Sequence, residues 1–252
     1  MARPLRATTL LREVYVTVVW CRRPSNGAQA LVDKLVSMGH SAQVLVGGVC
    51  PDGAVRWGCG GGNKYQELVT LARAGVPVPE HVLPIGNARA LIRSRERLDG
   101  WLGRRFTHRA ANDLLRGVWR TADYYVRYVD CIREHRVHVW QGRVIRIAMK
   151  VPASDSTPPT SLRFRTHRAG WILRTAPECT SLLPPQAREW AKRAVEALGC
   201  QHGAVDVGTR RDDGSAIVFE VNSGPGLEGR TVDCYARAVV NAERRAARAA
   251  RR

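Results

Sequence analysis

The stretch Ala204–Gly229, AVDVGTRRDDGSAIVFEVNSGPGLEG, decides how the rest of the chain is read. Val205, Val207, Ile217, Phe219 and Val221 alternate with other residues, the period of a strand with one buried face. Asp212-Asp213-Gly214 between the two runs is turn chemistry. A turn centred on Asp213 sets Asp206 directly opposite Glu220. Cross-strand partners share a face, and so do residues two apart on one strand. Asp206, Glu220 and Asn222 therefore gather on the face opposite the valines. Two carboxylates and an amide oxygen, with no cation among them, are hard ligands suited to Mg²⁺ and its nucleotide phosphates. The plain alternative is a solvated polar face. Ser223-Gly224-Pro225-Gly226 follows directly and lets backbone approach a ligand closely, which favours the metal.

A chain of 252 residues can bury a full core, as one large domain or a few packed units. The formal charge of +18 is almost all arginine, since lysine occurs only at Lys34, Lys64, Lys150 and Lys192. That balance attracts polyanions, so nucleic acid or an acidic protein is an expected partner of the basic surface. An arginine-rich coding background is the bland account. The seven cysteines are widely spaced without a Cys-x-x-Cys pair, which indicates neither a disulfide framework nor a zinc site. A reducing cytoplasm is the expected compartment. No apolar stretch is long enough for a bilayer, and Arg3, Arg6 and Arg12 around a short Leu-rich patch do not make a signal peptide. No membrane is expected.

Glu13–Val19 is β-branched and continuous, a buried strand. The turn Arg22–Gly27 leads to a helix through Ala30, Leu31, Leu35 and Met38, stopped by Gly39, and Gln43–Val46 reads as a second, parallel strand. Arg56-Trp57-Gly58 and the glycine run Gly60–Gly62 close this βαβ unit. Lys64–Ala74 is helical, Val76–Pro79 extended, and Ala88–Leu98 helical again. Gly100–Phe106 and Ala122–Val129 read as strands, and Glu134–Trp140 with Arg143–Met149 as a second hairpin across Gln141-Gly142. Pro184–Leu198 and Thr231–Arg252 are helices, the last third of the latter an Ala/Arg run expected to fray. The fold class is α/β with α+β character. It divides into an N-terminal βαβ unit over 1–75, a central lid over 76–129 and a C-terminal part over 130–252 with a basic helical tail. His40, His81 and His202 have no ligand-spaced partner, and Trp20, Trp57, Trp101, Trp119 and Trp190 read as packing residues.

On the second hairpin, Glu134, Arg136 and His138 alternate on one face, with Lys150 at the end of the return strand. A carboxylate that can hold ribose hydroxyls beside cations that can hold phosphates suits a nucleotide site, while a salt-bridged exposed sheet face is the structural alternative. Taken together, the segments resemble the ATP-grasp superfamily. The nearest likeness is to the ligases that add glutamate to ribosomal protein and to small ATP-grasp proteins of bacteriophage type. Ala204–Val207 and Phe219–Gly229 resemble the pattern GVDI…EVNSSPGLEG, and Arg133–Val139 resembles EYRVHVF. Arg165–Trp171 is similar to N-H-x-x-G-W, Asn63-Lys64 with Gly75–Pro79 to NK…AGVPVP, and Arg22–Gly27 to RxPSxGA.

That resemblance implies two sheet-containing subdomains clasping ATP, with one or two Mg²⁺ (Mn²⁺ as the alternative ion) on Asp206, Glu220 and Asn222. It implies that Glu134 meets the ribose and that Tyr128-Val129 form the hinge whose backbone reads adenine. Arg104 or Arg105 stands at the basic lid position, Arg136 faces the γ-phosphate or acyl phosphate, and Lys150 lies near a second basic position. The implied reaction is ADP-forming joining of a carboxylate to an amine, on small-molecule or peptide substrates, through an acyl phosphate. One departure stands out. The family's glycine-rich lid, roughly GHGGxGI, is replaced by Phe106–Asp113, which has no glycine but has His108 and Arg109. With the charge of +18, this motivates an alternative: a degenerate grasp site that binds nucleotide or nucleic acid without ligase chemistry.

Overall fold

The computed structural model describes residues 16–58, 62–83, 100–107 and 122–252. The β-branched opening run forms β1 (Thr17–Cys21), and α1 (Asn26–Ser37) follows with Ser25 as its cap, the hydroxyl accepting from the Ala28 N–H at 3.4 Å. β2 (Ala42–Val46) and β3 (Val55–Trp57) both pair parallel to β1, one on each side. Among the described residues the first strand pairs with β2 from Thr17 beside Ala42 to Cys21 beside Val46. Residues 13–15 of the expected strand lie outside the described residues. β3, three residues long, shows no readable period in sequence.

α2 (Lys64–Arg73) is capped by the Asn63 side chain, which accepts from the N–H groups of Tyr65 and Gln66. β4 (His81–Val82), β5 (Trp101–Arg104) and β6 (Tyr124–Arg127) make an antiparallel sheet in the order β4-β6-β5. The helix expected at Ala88–Leu98, residues 60 and 61 of the glycine run, and the lid from His108 and Arg109 onward lie outside the described residues.

β7 (Cys131–Trp140) and β8 (Arg143–Pro152) form the second hairpin, with Gln141 at φ 44° and Gly142 at φ 71°. Both values are positive, as the favoured two-residue hairpin turn requires. After a loop come β9 (Trp171–Arg174), which sequence reading did not find, a short α3 (Pro177–Ser181) and α4 (Pro185–Ala197). β10 (His202–Arg210), β11 (Ala216–Asn222) and α5 (Arg230–Ala249) close the chain. The large sheet is antiparallel in the order β11-β10-β7-β8-β9. Its apolar face, with Val137, Val139, Val205, Val207, Val218 and Val221, packs on Ala187, Ala191 and Ala194 of α4. Alanine at these helix positions lets α4 lie close to the valines, and this burial is the main source of stability here.

A second core joins the two ends of the chain. Val19, Leu31, Leu35 and Trp57 cluster with Tyr235, Ala236, Val239 and Val240 of α5. Lys34 meets Asp233 at 2.7 Å, and the Thr17 hydroxyl donates to Glu243. α5 continues to Ala249, so the Ala/Arg segment expected to fray is helical nearly to the end. Alanine and arginine are both strong helix formers, which sustains it.

The opening hairpin holds a correction. Asp206 does face Glu220, but Val207 pairs with Val218, so Phe219 is the extra residue of a β-bulge. The bulge turns Ile217 and Phe219 away from the valine face, and Val218 and Ala216 take their place there. The turn itself, with Thr209 opposite Ala216, centres half a residue earlier than Asp213. The early turn and the bulge offset each other at Asp206.

Candidate active site

The polar face of the large sheet is built on register. Arg136 on β7 pairs with Asp206 on β10, which in turn pairs with Glu220 on β11, so the three side chains form a row across adjacent strands. Asn222 lies two residues along from Glu220, opposite Ala204. Glu134 pairs with Gly208 on the same face.

Arg136 grips Asp206 with two parallel bonds, Nε to Oδ1 at 2.7 Å and Nη2 to Oδ2 at 2.9 Å. Such forked pairs are the strongest carboxylate contacts arginine makes. Lys150 Nζ lies 2.8 Å from Glu134 Oε2 and 3.8 Å from Asp206 Oδ2. Arg165, from the loop before β9, places Nη1 3.8 Å from Glu134 Oε1 and donates through Nη2 to the Cys131 carbonyl at 2.7 Å. Burial alone would raise the Asp206 carboxyl, but Arg136 and then Lys150 overcome it and hold the group at about 2. Lys150 is pulled the opposite way by burial, and Asp206 and Glu134 still raise it, so it stays charged. Burial and then the Glu134 charge push the Cys131 thiol up to about 12, which leaves it protonated.

Beyond Glu220 stands a second cationic group. Lys64, at the start of α2, bonds Glu67 at 2.9 Å, and against the cost of burial it is raised by Glu220 and Glu67 and opposed by Arg104. Glu67 is itself buried and raised by desolvation, with Lys64 holding it down. The two lid arginines part company here. Arg104 shares the field of Lys64 and Glu220, while Arg105 turns to Asp123 at 3.1 Å on the surface.

Tyr128 and Val129 link β6 to β7 and are half-buried. The Tyr128 N–H donates to the Gly100 carbonyl at 2.7 Å, so it reaches a ring only by giving up that bond. Arg163 stacks over the Tyr128 ring at 4.2 Å. Lys64, Glu67, Arg163 and Arg165 were not singled out from sequence as site residues. Each reaches the site from a loop or helix start far along the chain, where no local period marks it.

At the other end of the row, the Gly58 N–H donates to the Ser223 carbonyl at 3.0 Å. A Cβ on Gly224 would come within 2.8 Å of Gly58 Cα, and one on Gly27 within 2.5 Å of the Pro225 carbonyl oxygen. The loop after β11 is thus seated on the N-terminal unit through contacts that only glycine permits. Behind the loop, His202 is sandwiched between Trp57 and Trp140, with ring centroids at 4.5 and 5.2 Å. Burial lowers His202 to about 4, so it is a neutral, buried packing group rather than a surface histidine. Trp20, Trp57 and Trp101 are buried as expected of packing residues.

Among the described residues no cluster of three or more His, Cys, Asp or Glu side chains is arranged around a metal position. Two carboxylates and an amide are a smaller set. Asp206 and Glu220 stand on paired strands, and no hydrogen bond among the described residues engages the Glu220 or Asn222 side chain. The oxygen donor set fits a hard dication, which Asp206 would bind only on release from Arg136.

No family model matches the sequence, and no curated protein matches it. Solved structures do. The ATP-grasp ligase PsnB in complex with a minimal precursor superposes with a TM-score of 0.59 at 14% identity, covering 89% of this chain and 98% of that one. The macrocyclase MdnC from Microcystis aeruginosa MRC, bound with precursor peptide MdnA, gives 0.58 at 12% identity over 90% and 100%. D-alanine–D-alanine ligase from Bacillus anthracis gives 0.53 at 11% identity over 84% and 88%. The fold is ATP-grasp. The row Arg136–Asp206–Glu220 lies on the polar face of the large sheet of this fold. PsnB has also been solved with Mg and ADP beside its precursor. No helix among the described residues is long and apolar enough to cross a membrane.

Proposed function

We propose that the protein is an ATP-dependent carboxylate–amine ligase that acts on a peptide. The observation that carries this reading is the three-strand row of Arg136, Asp206 and Glu220, with Asn222 beside it and Lys64, Arg104 and Lys150 around it. Oxygen donors in the middle and cations at the rim suit a divalent ion on a nucleotide polyphosphate. Asp206, Glu220 and Asn222 hold Mg²⁺, with Mn²⁺ as the alternative. When bound, the ion neutralises charge on the phosphates. Arg136, released from Asp206, turns its guanidinium to the γ-phosphoryl group and stabilises charge there. Lys150 and Arg104 hold phosphate oxygens, and Glu134 accepts from the ribose. Tyr128-Val129 line the adenine.

A substrate carboxylate oxygen attacks the γ-phosphorus as the bond to ADP breaks, which gives an acyl phosphate. An amine arriving neutral then attacks the acyl carbon, phosphate leaves, and the amine gives up a proton to form the amide. Holding the reactants in line is the protein's main contribution. The likeness to peptide-bound PsnB and MdnC supports a peptide substrate, and the Ala204–Gly229 motif supports kinship with the ribosomal-protein glutamate ligases and phage-type proteins. The free cysteines among the described residues suit a cytoplasmic setting.

The test is product analysis. Purified protein, ATP and Mg²⁺ are incubated with a peptide and amino-acid pool, and ADP and new amide masses are followed. Wild type releases ADP with a matching mass gain of one condensation, and Glu220→Gln loses at least a hundredfold of that rate. Nucleotide binding with no product from any pool would instead support the degenerate reading.

A further inference from the structure

We propose that the outer face of α5 is a docking track for an acidic peptide segment, a role that rests on the ligase reading only for the choice of peptide as occupant. From residue 234 onward α5 and the last residues carry Arg237, Arg244, Arg245, Arg248, Arg251 and Arg252, and all six are exposed. The steps from Arg237 to Arg244 to Arg248 are seven and four residues, which keeps them on one side of a 3.6-residue helix, and Arg251 and Arg252 follow its end at Ala249.

The acids of α5 are engaged by the N-terminal unit. Asp233 is bound to Lys34 at 2.7 Å, and Glu243 accepts from Thr17. Among the described residues none of the six arginines makes an ion pair. Up to Val240 the opposite side of α5 is held by the N-terminal core, but from Arg244 to Arg252 every residue is exposed. Among the described residues nothing covers these last turns, which present a cationic surface.

Position selects the occupant. α5 begins at Arg230, directly after the Ser223–Gly226 loop that borders the Glu220–Asn222 strand end. Arg237 stands about 10 Å along the helix from Arg230 and Arg248 about 17 Å further, so a substrate chain leaving the loop meets the track within a few residues. Arg244 and Arg248, four apart, stand about 6 Å from each other along the axis. Carboxylates on alternate residues of an extended peptide repeat at about 6.6 Å, a close match. A ligase site consumes a carboxylate and an amine, groups that a peptide carries and a plain nucleic acid lacks.

The experiment measures binding without ATP, so it stands or falls independently of the chemistry. Fluorescence anisotropy compares a labelled ten-residue peptide of alternating glutamate and serine with a labelled decathymidylate across a salt series. Wild type binds the peptide, with affinity falling as salt rises. The variant Arg237→Gln, Arg244→Gln, Arg248→Gln, whose helix content is checked by circular dichroism, binds it at least tenfold more weakly with a shallower salt dependence. The proposal is overturned if the triple variant binds within twofold of wild type, if wild type binds neither probe, or if it prefers the oligonucleotide tenfold. Ligase activity that fails while peptide binding persists would sink the chemistry and leave the track standing.

Discussion

Asp206 is the residue on which the site turns. Its carboxylate is nearly buried and gripped by Arg136 at 2.7 and 2.9 Å, which holds its pKa at about 2 against an ordinary 3.8. A depressed acid stabilises the fold above its unfolded pKa, and that contribution fades as pH falls through the folded value. Here the window runs from about pH 4 to about pH 2, and the difference is worth about 2 kcal/mol. Asp206→Asn has no such carboxylate, but it leaves Arg136 buried and unpaired, so it is the less stable protein at neutral pH. Urea unfolding should show the gap between the two proteins shrinking by about 2 kcal/mol between pH 5 and pH 2. A gap independent of pH would mean that the pair is not formed. At this scale the sequence reading placed Asp206 across from Glu220 and gave Arg136 to the phosphates, yet it did not pair Arg136 with Asp206. A hairpin motif identifies one neighbour of β10. The other neighbour, β7, brings Arg136 from 70 residues away, and nothing local encodes that pairing.

Among the elements, the β10–β11 hairpin shows how a right answer can rest on an incomplete register. Alternation put Ile217 and Phe219 with the valines, whereas the bulge at Phe219 reverses both. A single inserted residue leaves the composition of the run unchanged, so period alone cannot reveal it. Gly208 records the consequence. A Cβ there would lie 2.5 Å from Cys131 Sγ and 2.7 Å from the Phe219 ring, because the bulge has swung that ring over the strand. Gly208→Ala should cost about 1–3 kcal/mol, measured as a lower thermal midpoint. Nucleotide affinity would fall with it, since Gly208 pairs with Glu134. An unchanged melting curve would place Phe219 elsewhere. The strands missed in sequence, β3 and β9, are three and four residues long, too short for a period to declare itself.

For the molecule as a whole, the two ends of the chain share one core. Tyr235, Ala236, Val239 and Val240 of α5 fill the space beside Leu31, Leu35 and Trp57, so α5 is a structural member of the N-terminal unit up to Val240. From Arg244 onward every residue is exposed. Deleting residues 230–252 should therefore abolish the cooperative unfolding transition. Deleting 244–252, which keeps Glu243 and its bond from Thr17, should leave the melting temperature within a few degrees. Circular dichroism melts of both truncations check this, and equal damage from the two would contradict it. Sequence reading found the helix and its basic end but assigned it to the C-terminal part. Amphipathic period marks which face is buried, while the partner that buries it is a property of the assembled fold.

The central claim is that the β10–β11 hairpin clamps a magnesium–nucleotide pair. Calorimetric titration of ATP into wild type and Glu220→Gln, each with and without Mg²⁺, tests it most directly. The expected result is Mg²⁺-dependent binding by wild type and a loss of at least tenfold in that dependence for the variant, with metal-free binding little changed. Equal magnesium dependence in the two proteins would contradict the account.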